Sequence, residues 1–252
     1  MKNIPGHPQI KFVGVQDFED FEVTKMKFIS QAKANTARLG YVLATVGVLA
    51  SVANLAYADE NDWRLRIGPG HIAFDKNVTL SAGGAVIPGA GARLQDNTAL
   101  LAEIGYRVTP NWSAGLTFGI PPTTKVNGTG TAEPFGEFGR VKYGPLGMTA
   151  QYQFNAGGTL QPYVGAGAVY YMVFSSKDAA ITQLEVDNAW GSVIQVGADY
   201  NLTPTVGLFF DVRKLYLKTT ATGFLPAAGG APVKADATLN PLVIHAGLLV
   251  RF

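Results

Sequence analysis

Apolar side chains recur at every second position in stretches of about ten residues, and this period restricts the possible folds more than any other feature of the chain. From Leu100 to Val108, one face of an extended chain carries only apolar residues, whereas the other face includes Glu103 and Arg107. Such alternation is typical of β-strands that separate two environments. It marks eight stretches: Trp63 to Ile67, Leu100 to Val108, Trp112 to Ile120, Met148 to Phe154, Val164 to Phe174, Ser192 to Tyr200, Val206 to Val212 and Leu242 to Phe252.

The lengths of the connections help to decide between a soluble β-sandwich and a barrel, since alternation alone is compatible with both. Three connections are short: Thr109-Pro110, Asn155 to Thr159 and Leu202 to Pro204. Four are long and rich in Gly, Pro and Thr: Asp75 to Thr98, Pro121 to Arg140, Ser175 to Asp187 and Thr219 to Thr238. Short periplasmic turns at one rim and long extracellular loops at the other are typical of barrels of the outer membrane.

The positions of the aromatic residues agree with a membrane barrel. Six of them fall near the short-turn rim on the apolar face, where an interfacial girdle is expected: Trp63, Tyr106, Trp112, Phe154, Tyr200 and Phe252. The sequence therefore predicts an all-β, eight-stranded antiparallel transmembrane β-barrel.

Composition excludes several other classes of protein. Only 15% of the 252 residues are charged and 47% are hydrophobic, which is too apolar for a disordered chain and too weakly charged for an average soluble domain. Lys and Arg are scattered and the net charge is +2, so no basic stripe indicates nucleic acid as a partner. Cysteine is absent, which excludes disulfides and thiolate metal ligands. We expect no metal and no cofactor.

The N-terminal region has the features of a secretory signal peptide. The uncharged stretch Leu39 to Ala58 follows Lys33 and Arg38 and ends in Ala56-Tyr57-Ala58, which predicts cleavage after Ala58. A single transmembrane helix is the alternative, since the stretch is nearly long enough to span a bilayer. Residues 1–25 carry acidic side chains that do not suit a signal peptide, so we expect translation to start at Met26. Residues 1–58 are thus predicted as an N-terminal extension plus signal peptide, and residues 59–252 as the barrel.

The C-terminal strand carries a second targeting pattern. A polar residue, a glycine, an apolar residue and a final aromatic residue stand at His245, Gly247, Val250 and Phe252. This order resembles the signal that the outer-membrane assembly machinery reads, although an ordinary terminal strand ending in Phe is the alternative. Together with the signal peptide, it predicts location in the outer membrane of a Gram-negative type of cell, surrounded by lipid and lipopolysaccharide.

Several short motifs of the mature chain resemble the OmpW family of small outer-membrane barrels. These motifs are Trp63 to Pro69, Leu160 to Gly167, Asp187 to Gly191, Gly197 to Tyr200, Asp211 to Lys214 and Asn240 to Leu242. Each is weak alone, whereas their order and spacing are fairly specific; the connections 121–140 and 223–235 show no match. The resemblance implies an eight-stranded barrel whose relatives are associated with passage of small hydrophobic compounds across the outer membrane.

The inward face indicates what the barrel holds. An eight-stranded barrel is only wide enough for side chains, so no broad aqueous channel is expected. If the apolar face meets lipid, charged residues of the periplasmic half point inward together with His245, and they should pair as an ionic plug because an unpaired buried charge is costly. The predicted plug consists of Arg64, Arg66, Glu103, Arg107, Asp199, Asp211, Arg213 and Arg251.

Farther from the short turns, the inward positions are apolar. They are Leu101, Val169, Tyr171, Val173, Val193, Leu215, Leu217 and Val243, a candidate path for a ligand. An apolar funnel above an ionic plug predicts uptake of small hydrophobic molecules, which would leave sideways into the bilayer or bypass the plug. The alternative for the charges is a purely structural plug. For the whole protein, the alternative is recognition, with the long loops binding a phage, a bacteriocin or a host partner.

Catalysis is not expected. Some small outer-membrane barrels are lipid A deacylases that use Ser, His and an acid, but the mature chain contains only His71 and His245. His245 belongs to the C-terminal pattern, and His71 lacks a serine and an acid in a triad arrangement. We therefore predict no catalytic residue.

Overall fold

The structure, a computed structural model, describes residues 63–75, 77–82 and 84–252, which form almost entirely β-structure. The predicted signal peptide and the proposed start at Met26 lie outside the described residues. The strands are β1 (Trp63–Ala73), β2 (Asn77–Ala82), β3 (Ala85–Val86), β4 (Ala90–Leu94), β5 (Asn97–Arg107), β6 (Trp112–Gly119), β7 (Thr123–Gly130), β8 (Glu137–Gln153), β9 (Leu160–Asp178), β10 (Thr182–Val186), β11 (Ala189–Asn201), β12 (Val206–Leu225), β13 (Ala231–Thr238) and β14 (Leu242–Arg251). Single turns of 3-10 helix lie at Glu133–Phe135 and Pro226–Ala228. No helix among these residues is long and apolar enough to cross a membrane.

Eight of the strands form a closed antiparallel barrel. They follow the ring order β1, β5, β6, β8, β9, β11, β12 and β14, and β14 pairs with β1 to close it. Along β1, every second side chain from Arg64 is buried, while those between them are half-buried or exposed. Closure pairs the edge strands with each other, as a sheet in lipid requires. The predicted fold of eight antiparallel strands is confirmed.

Short turns define one rim of the barrel. Between β5 and β6, the backbone N–H of Trp112 donates to Thr109 Oγ1 at 3.0 Å, and between β11 and β12 that of Val206 donates to Thr203 Oγ1 at 2.9 Å. Gly157, in the turn between β8 and β9, has a φ of 86°, a left-handed conformation that favours glycine. In the same turn, the Gly158 N–H donates to the carbonyl of Asn155 at 3.1 Å, so local hydrogen bonds hold all three turns that the sequence predicts. This rim is the periplasmic one by the pattern of outer-membrane barrels.

Exposed aromatic side chains surround the same rim. The rings of Trp63 and Tyr106 lie 4.9 Å apart, and Tyr152 lies 5.2 Å from both Trp112 and Phe154. Cross-strand aromatic pairs stabilise adjacent strands and suit the interface between lipid and water. They mark the level at which the barrel leaves the bilayer on its short-turn side.

The opposite rim differs from our expectation, because the four long connections are largely β-structure rather than loops. The strands β8, β9 and β12 continue far beyond the barrel, and β7, β10 and β13 pair with these extensions. β2 pairs with β13, and β4 pairs with β7. Long strands that ended without neighbours would expose hydrogen-bonding edges, so pairing of the connections satisfies them. The barrel wall therefore continues outward as a β-extension.

Candidate functional site

The barrel interior contains a buried ionic cluster on the side of the short turns, which we call the ionic floor. It consists of Arg64, Arg66, Glu103, Asp199, Asp211, Arg213 and Arg251, each at most 5% exposed. Alternation brings these residues together because each occupies an inward position of its strand. Arg107, also assigned to the plug by sequence, is half-buried at the periplasmic mouth instead.

Arg66 occupies the centre of the floor. Its Nε and Nη2 donate to the two carboxylate oxygens of Asp199 at 2.9 and 2.8 Å, and Nη1 donates to Glu103 Oε1. The guanidinium carbon lies 4.2 Å from the centroid of the Tyr163 ring. Paired, planar contacts of this kind are the geometry in which a buried arginine is best compensated.

Glu103 links Arg66 to a second arginine. Arg213 Nη2 donates to Glu103 Oε2 at 2.8 Å, while its Nε donates to Asp211 Oδ1. The Tyr163 hydroxyl donates to the other oxygen of Asp211 at 2.7 Å. The three carboxylates are thus each bonded to an arginine, and the network crosses the lumen from β1 to β12.

Neutral polar side chains complete the floor, and sequence reasoning did not assign them to it. Gln151 accepts from Arg64 at 2.7 Å and donates to Glu103 at 2.9 Å, and Ser113 accepts from Arg64 as well. Arg251 donates to Gln161 at 3.2 Å. The sequence does contain a feature that indicates them: they occupy the inward positions of strands whose other face is apolar.

Three residues of the predicted assembly signal lie on β14, and Phe252 follows directly after it, beside the junction that closes the barrel. His245 is fully buried and packs edge-on against Phe209, with ring centroids 4.6 Å apart. Gly247 lies against the backbone of β1, and the half-buried Val250 pairs with Leu65. The backbone N–H of Phe252 donates to the carbonyl of Trp63 at 3.0 Å. These contacts describe a structural role; reading by the assembly machinery stays a prediction.

Above the floor the interior is apolar. Seven of the eight residues of the candidate path are buried in one cluster, and Val173 is partly buried against it. Sequence reasoning missed other members because most lie near strand ends or in the connections: Ile72, Phe74, Ala99, Val141, Tyr143, Ala189, Ala237 and Leu239. A second apolar cluster inside the β-extension contains Leu80, Ala92, Ala132, Phe138, Ile181 and Leu225. The apolar interior is thus longer than the sequence predicted.

Three aromatic rings pack together within this apolar interior. Tyr143 stacks on Tyr171 with centroids 5.1 Å apart, and Phe74 meets Tyr143 edge-on at 5.6 Å. A cavity of about 60 Å³ lies in the β-extension, lined by residues such as Leu80 and Phe138. A cavity of about 30 Å³ lies directly above the floor, where Leu215 and Arg213 both line it. We call the three rings the aromatic constriction.

The barrel wall is interrupted beside the cavity above the floor, between β6 and β8. The ladder of β6 and β8 ends at the pair Thr117 and Gly147. Bonding resumes where the Tyr143 N–H donates to the carbonyl of Pro122 at 3.2 Å, next to the pair Thr123 and Lys142. Residues 118–121 and 144–146 lie between these pairs, and Pro121 and Pro145 have no N–H to donate. Thr117, Pro145 and Gly147 also line the lower cavity. We call this interruption the seam.

Comparison with known proteins places the chain among outer-membrane barrels. The model of the OmpW family matches residues 60–252. The dibenzothiophene metabolism operon protein PahQ of Pseudomonas aeruginosa is 38% identical over 192 residues, which cover 76% of this chain and 89% of the relative. Outer membrane protein AlkL of Ectopseudomonas oleovorans is 30% identical over 168 residues, covering 67% of this chain and 72% of the relative.

Solved structures agree with this assignment. The crystal structure of OprG from Pseudomonas aeruginosa superposes with a TM-score of 0.72 at 24% identity, covering 76% of this chain and 96% of OprG. The solid-state NMR structure of AlkL in lipid bilayers gives 0.62 at 28% identity, covering 78% and 92%. The chain is a non-enzymatic barrel of the Gram-negative outer membrane, with eight strands that cross it, and it belongs to the OmpW family.

Proposed function

We propose that the chain takes up small hydrophobic molecules from the cell exterior through its apolar interior and releases them sideways into the outer membrane at the seam. The observation that carries the proposal is the change of polarity along the interior. Apolar clusters fill it from the β-extension down to Leu101 and Leu215, and the ionic floor begins immediately below. A pore for polar solutes would require a polar, hydrated lining instead.

The ionic floor supports a route that does not cross the whole barrel. Arg66, Glu103, Asp199 and Asp211 are fully buried. Arg66 pairs with both Glu103 and Asp199, and Asp211 pairs with Arg213. An apolar molecule passing between these residues would have to separate buried ion pairs. This is costly because such a molecule cannot solvate the separated charges. Descent through the floor is therefore the unfavourable direction for such a molecule.

The apolar part requires side-chain movement to admit a ligand. Its cavities measure about 30 to 60 Å³, whereas a site that binds benzene measures about 150 Å³. Along β8, Tyr143 lies between Val141, which lines the upper cavity, and Pro145, which lines the lower one, so rotation of its ring would open a connection between them. Gating by rotating rings accounts for a path that is closed to water at rest.

The seam offers the apolar molecule an exit of matching polarity. Ladder hydrogen bonds are missing between residues 118–121 and 144–146, so the wall can open locally there without breaking any. The prolines at 121 and 145 prevent those bonds from forming. Lipid chains and the apolar interior have similar polarity, so transfer between them costs little.

The substrate class follows from the lining. Aliphatic side chains and stacked rings suit a flat, uncharged aromatic compound or a short hydrocarbon. The name of the relative PahQ assigns that protein to a dibenzothiophene metabolism operon. The resemblance of the sequence motifs to the OmpW family implies passage of small hydrophobic compounds. Dibenzothiophene is thus a suitable probe.

The test is the initial rate at which radiolabelled dibenzothiophene accumulates in Gram-negative cells that express the chain. We expect Leu215→Asp, which places a charge in the path, to abolish the added rate, and Leu215→Trp, which fills the path with an apolar side chain, to reduce it strongly. Leu202→Asp, in an exposed periplasmic turn, is the matched control and should leave uptake unchanged. Heat-modifiable migration verifies folding of each variant.

Uptake that is equal for the parent, L215D and L215W, all folded, contradicts the proposal and favours the recognition role. The exit is tested separately with Pro145→Ala, which restores an N–H at the seam and should slow uptake. Pro162→Ala, in β9 away from the seam, is its control.

A further inference from the structure

The outer edge of the lipid-facing surface can be located on β8. Tyr152 belongs to the aromatic rim, and Leu146 and Met148 above it are exposed to lipid. Lys142, ten residues from Tyr152 along the strand, is the next charged outward side chain. At about 3.4 Å per residue and a tilt near 40°, that separation spans about 26 Å, close to the height of an apolar band. Lys142 therefore lies at the level of the outer-leaflet head groups.

Cationic side chains cluster at this level on three neighbouring strands. Lys125 of β7 pairs directly with Arg140 of β8, and Arg140 pairs directly with Lys177 of β9. With strands about 4.8 Å apart, three cations span about 10 Å, and Lys142 stands two residues nearer the membrane. All four residues are exposed on the outer face. We call Lys125, Arg140, Lys142 and Lys177 the basic row.

The row is only partly neutralised by the described residues. Glu137 accepts from Arg140 at 2.7 Å and lies 3.7 Å from Lys125 Nζ. Like charges directly opposite each other destabilise a sheet, so three adjacent cations oppose the pairing of their own strands. Elsewhere at this rim lysines have carboxylate partners: Lys214 lies 3.2 Å from Asp75, and Lys234 lies 3.1 Å from Asp236.

We propose that the basic row binds the phosphate groups of a phosphorylated glycolipid of the outer leaflet, lipopolysaccharide. Arginine and lysine are the side chains that bind phosphate, and clustered basic residues at a membrane surface bind anionic lipid. The apolar side chains of Phe174 and Leu146 are exposed on the same face of these strands, where a bound lipid would place its acyl chains. A lipid with phosphate groups above its acyl chains matches both the basic row and the apolar side chains. A soluble anion matches only the basic row.

The proposal is tested with purified, detergent-solubilised barrel immobilised for surface plasmon resonance. We expect the double variant K142Q/K177Q to bind lipopolysaccharide about 10- to 30-fold more weakly than the parent. The control K218Q/K234Q removes the same charge from β12 and β13 and should bind within about twofold. Enzymatically dephosphorylated lipopolysaccharide should bind the parent about as weakly as the intact lipid binds K142Q/K177Q.

Three results would each overturn the inference: equal loss in both double variants, undiminished binding of the dephosphorylated lipid, or competition by inorganic phosphate at concentrations similar to that of the lipid. The last result would identify the row as a site for a soluble anion. Binding is measured without transport, so this inference and the uptake function can fail independently.

Discussion

Replacement of Arg66 by Met is the sharpest test of how the floor is held together. Methionine keeps much of the side-chain length but removes the charge and every donor. The fully buried guanidinium binds Asp199 at 2.8 and 2.9 Å, Glu103 Oε1, and Gln151 at 3.0 Å. After the substitution, Asp199 keeps only the contact with Arg251 at 3.7 Å as an ion pair within the described residues.

The expected cost follows from the charges left behind. Removing one partner of a buried ion pair costs about 3–5 kcal/mol, because the remaining carboxylate loses its main compensating charge and is not solvated in exchange. Glu103 retains Arg213 at 2.8 Å, so the loss falls mainly on Asp199. We therefore expect R66M to lower the free energy of unfolding by about 3–5 kcal/mol.

The measurement is equilibrium urea unfolding of the barrel in lipid vesicles, followed by the fluorescence of Trp63, Trp112 and Trp190. Arg107→Met is the control, since Arg107 is half-buried at the mouth, and it should cost less than about 1 kcal/mol. A cost for R66M no larger than that of R107M would refute a tightly coupled, dry floor. In the double variant R66M/D199N, the second substitution should recover part of the loss, since it removes the orphaned charge.

Three further predictions follow from other parts of the barrel. Tyr143→Ala should widen the aromatic constriction, raising the initial uptake rate of dibenzothiophene while costing about 3–5 kcal/mol in the same unfolding assay; an unchanged rate would contradict gating by this ring. Gly68→Ala should prevent stable closure between β1 and β14, because a Cβ there meets the carbonyl of Ala246, and a variant that retained heat-modifiable migration and parental stability would refute that contact. The backbone N–H groups of Gln183 and Leu184 donate to Asp178 and lower its pKa, so the turn after β9 should be ordered at neutral pH and loosen as the pH falls through that pKa. The loosening is measured as faster hydrogen exchange of the Leu184 amide, and equal protection of that amide in Asp178→Asn would contradict the prediction.

The phase of the barrel strands was predictable from sequence because it is a local property. Once Leu100 and Ile104 are assigned to the lipid-facing side, the alternation of side chains along the strand places Leu101 and Glu103 inside the barrel. Both are buried in the structure. The same alternation predicts inward positions for both Arg66 and Asp199, which meet in one cluster although they lie 133 positions apart in the chain.

Features that depend on distant pairing were not predictable. The strands β7 and β13 lie in segments rich in Gly, Pro and Thr, whose local preference is for turns. They form strands because the extensions of β8 and β12 supply partners. The seam has the same origin, since Pro145 reads as a possible bulge locally but becomes an interruption only where it faces residues 118–121 of another strand.

The order of the two interior regions has a physical consequence for selectivity under the proposed function. A polar solute is stopped first, because the apolar region offers no hydrogen bonds to replace those it loses from water. An apolar solute passes that region but is stopped by the floor, whose buried charges it would have to separate at a cost of about 3–5 kcal/mol or more. A purely apolar plug would lack this second barrier, since it would mix with an apolar solute. The floor therefore directs such a solute to the seam. R66M should weaken this barrier to descent as well as lower the stability of the fold.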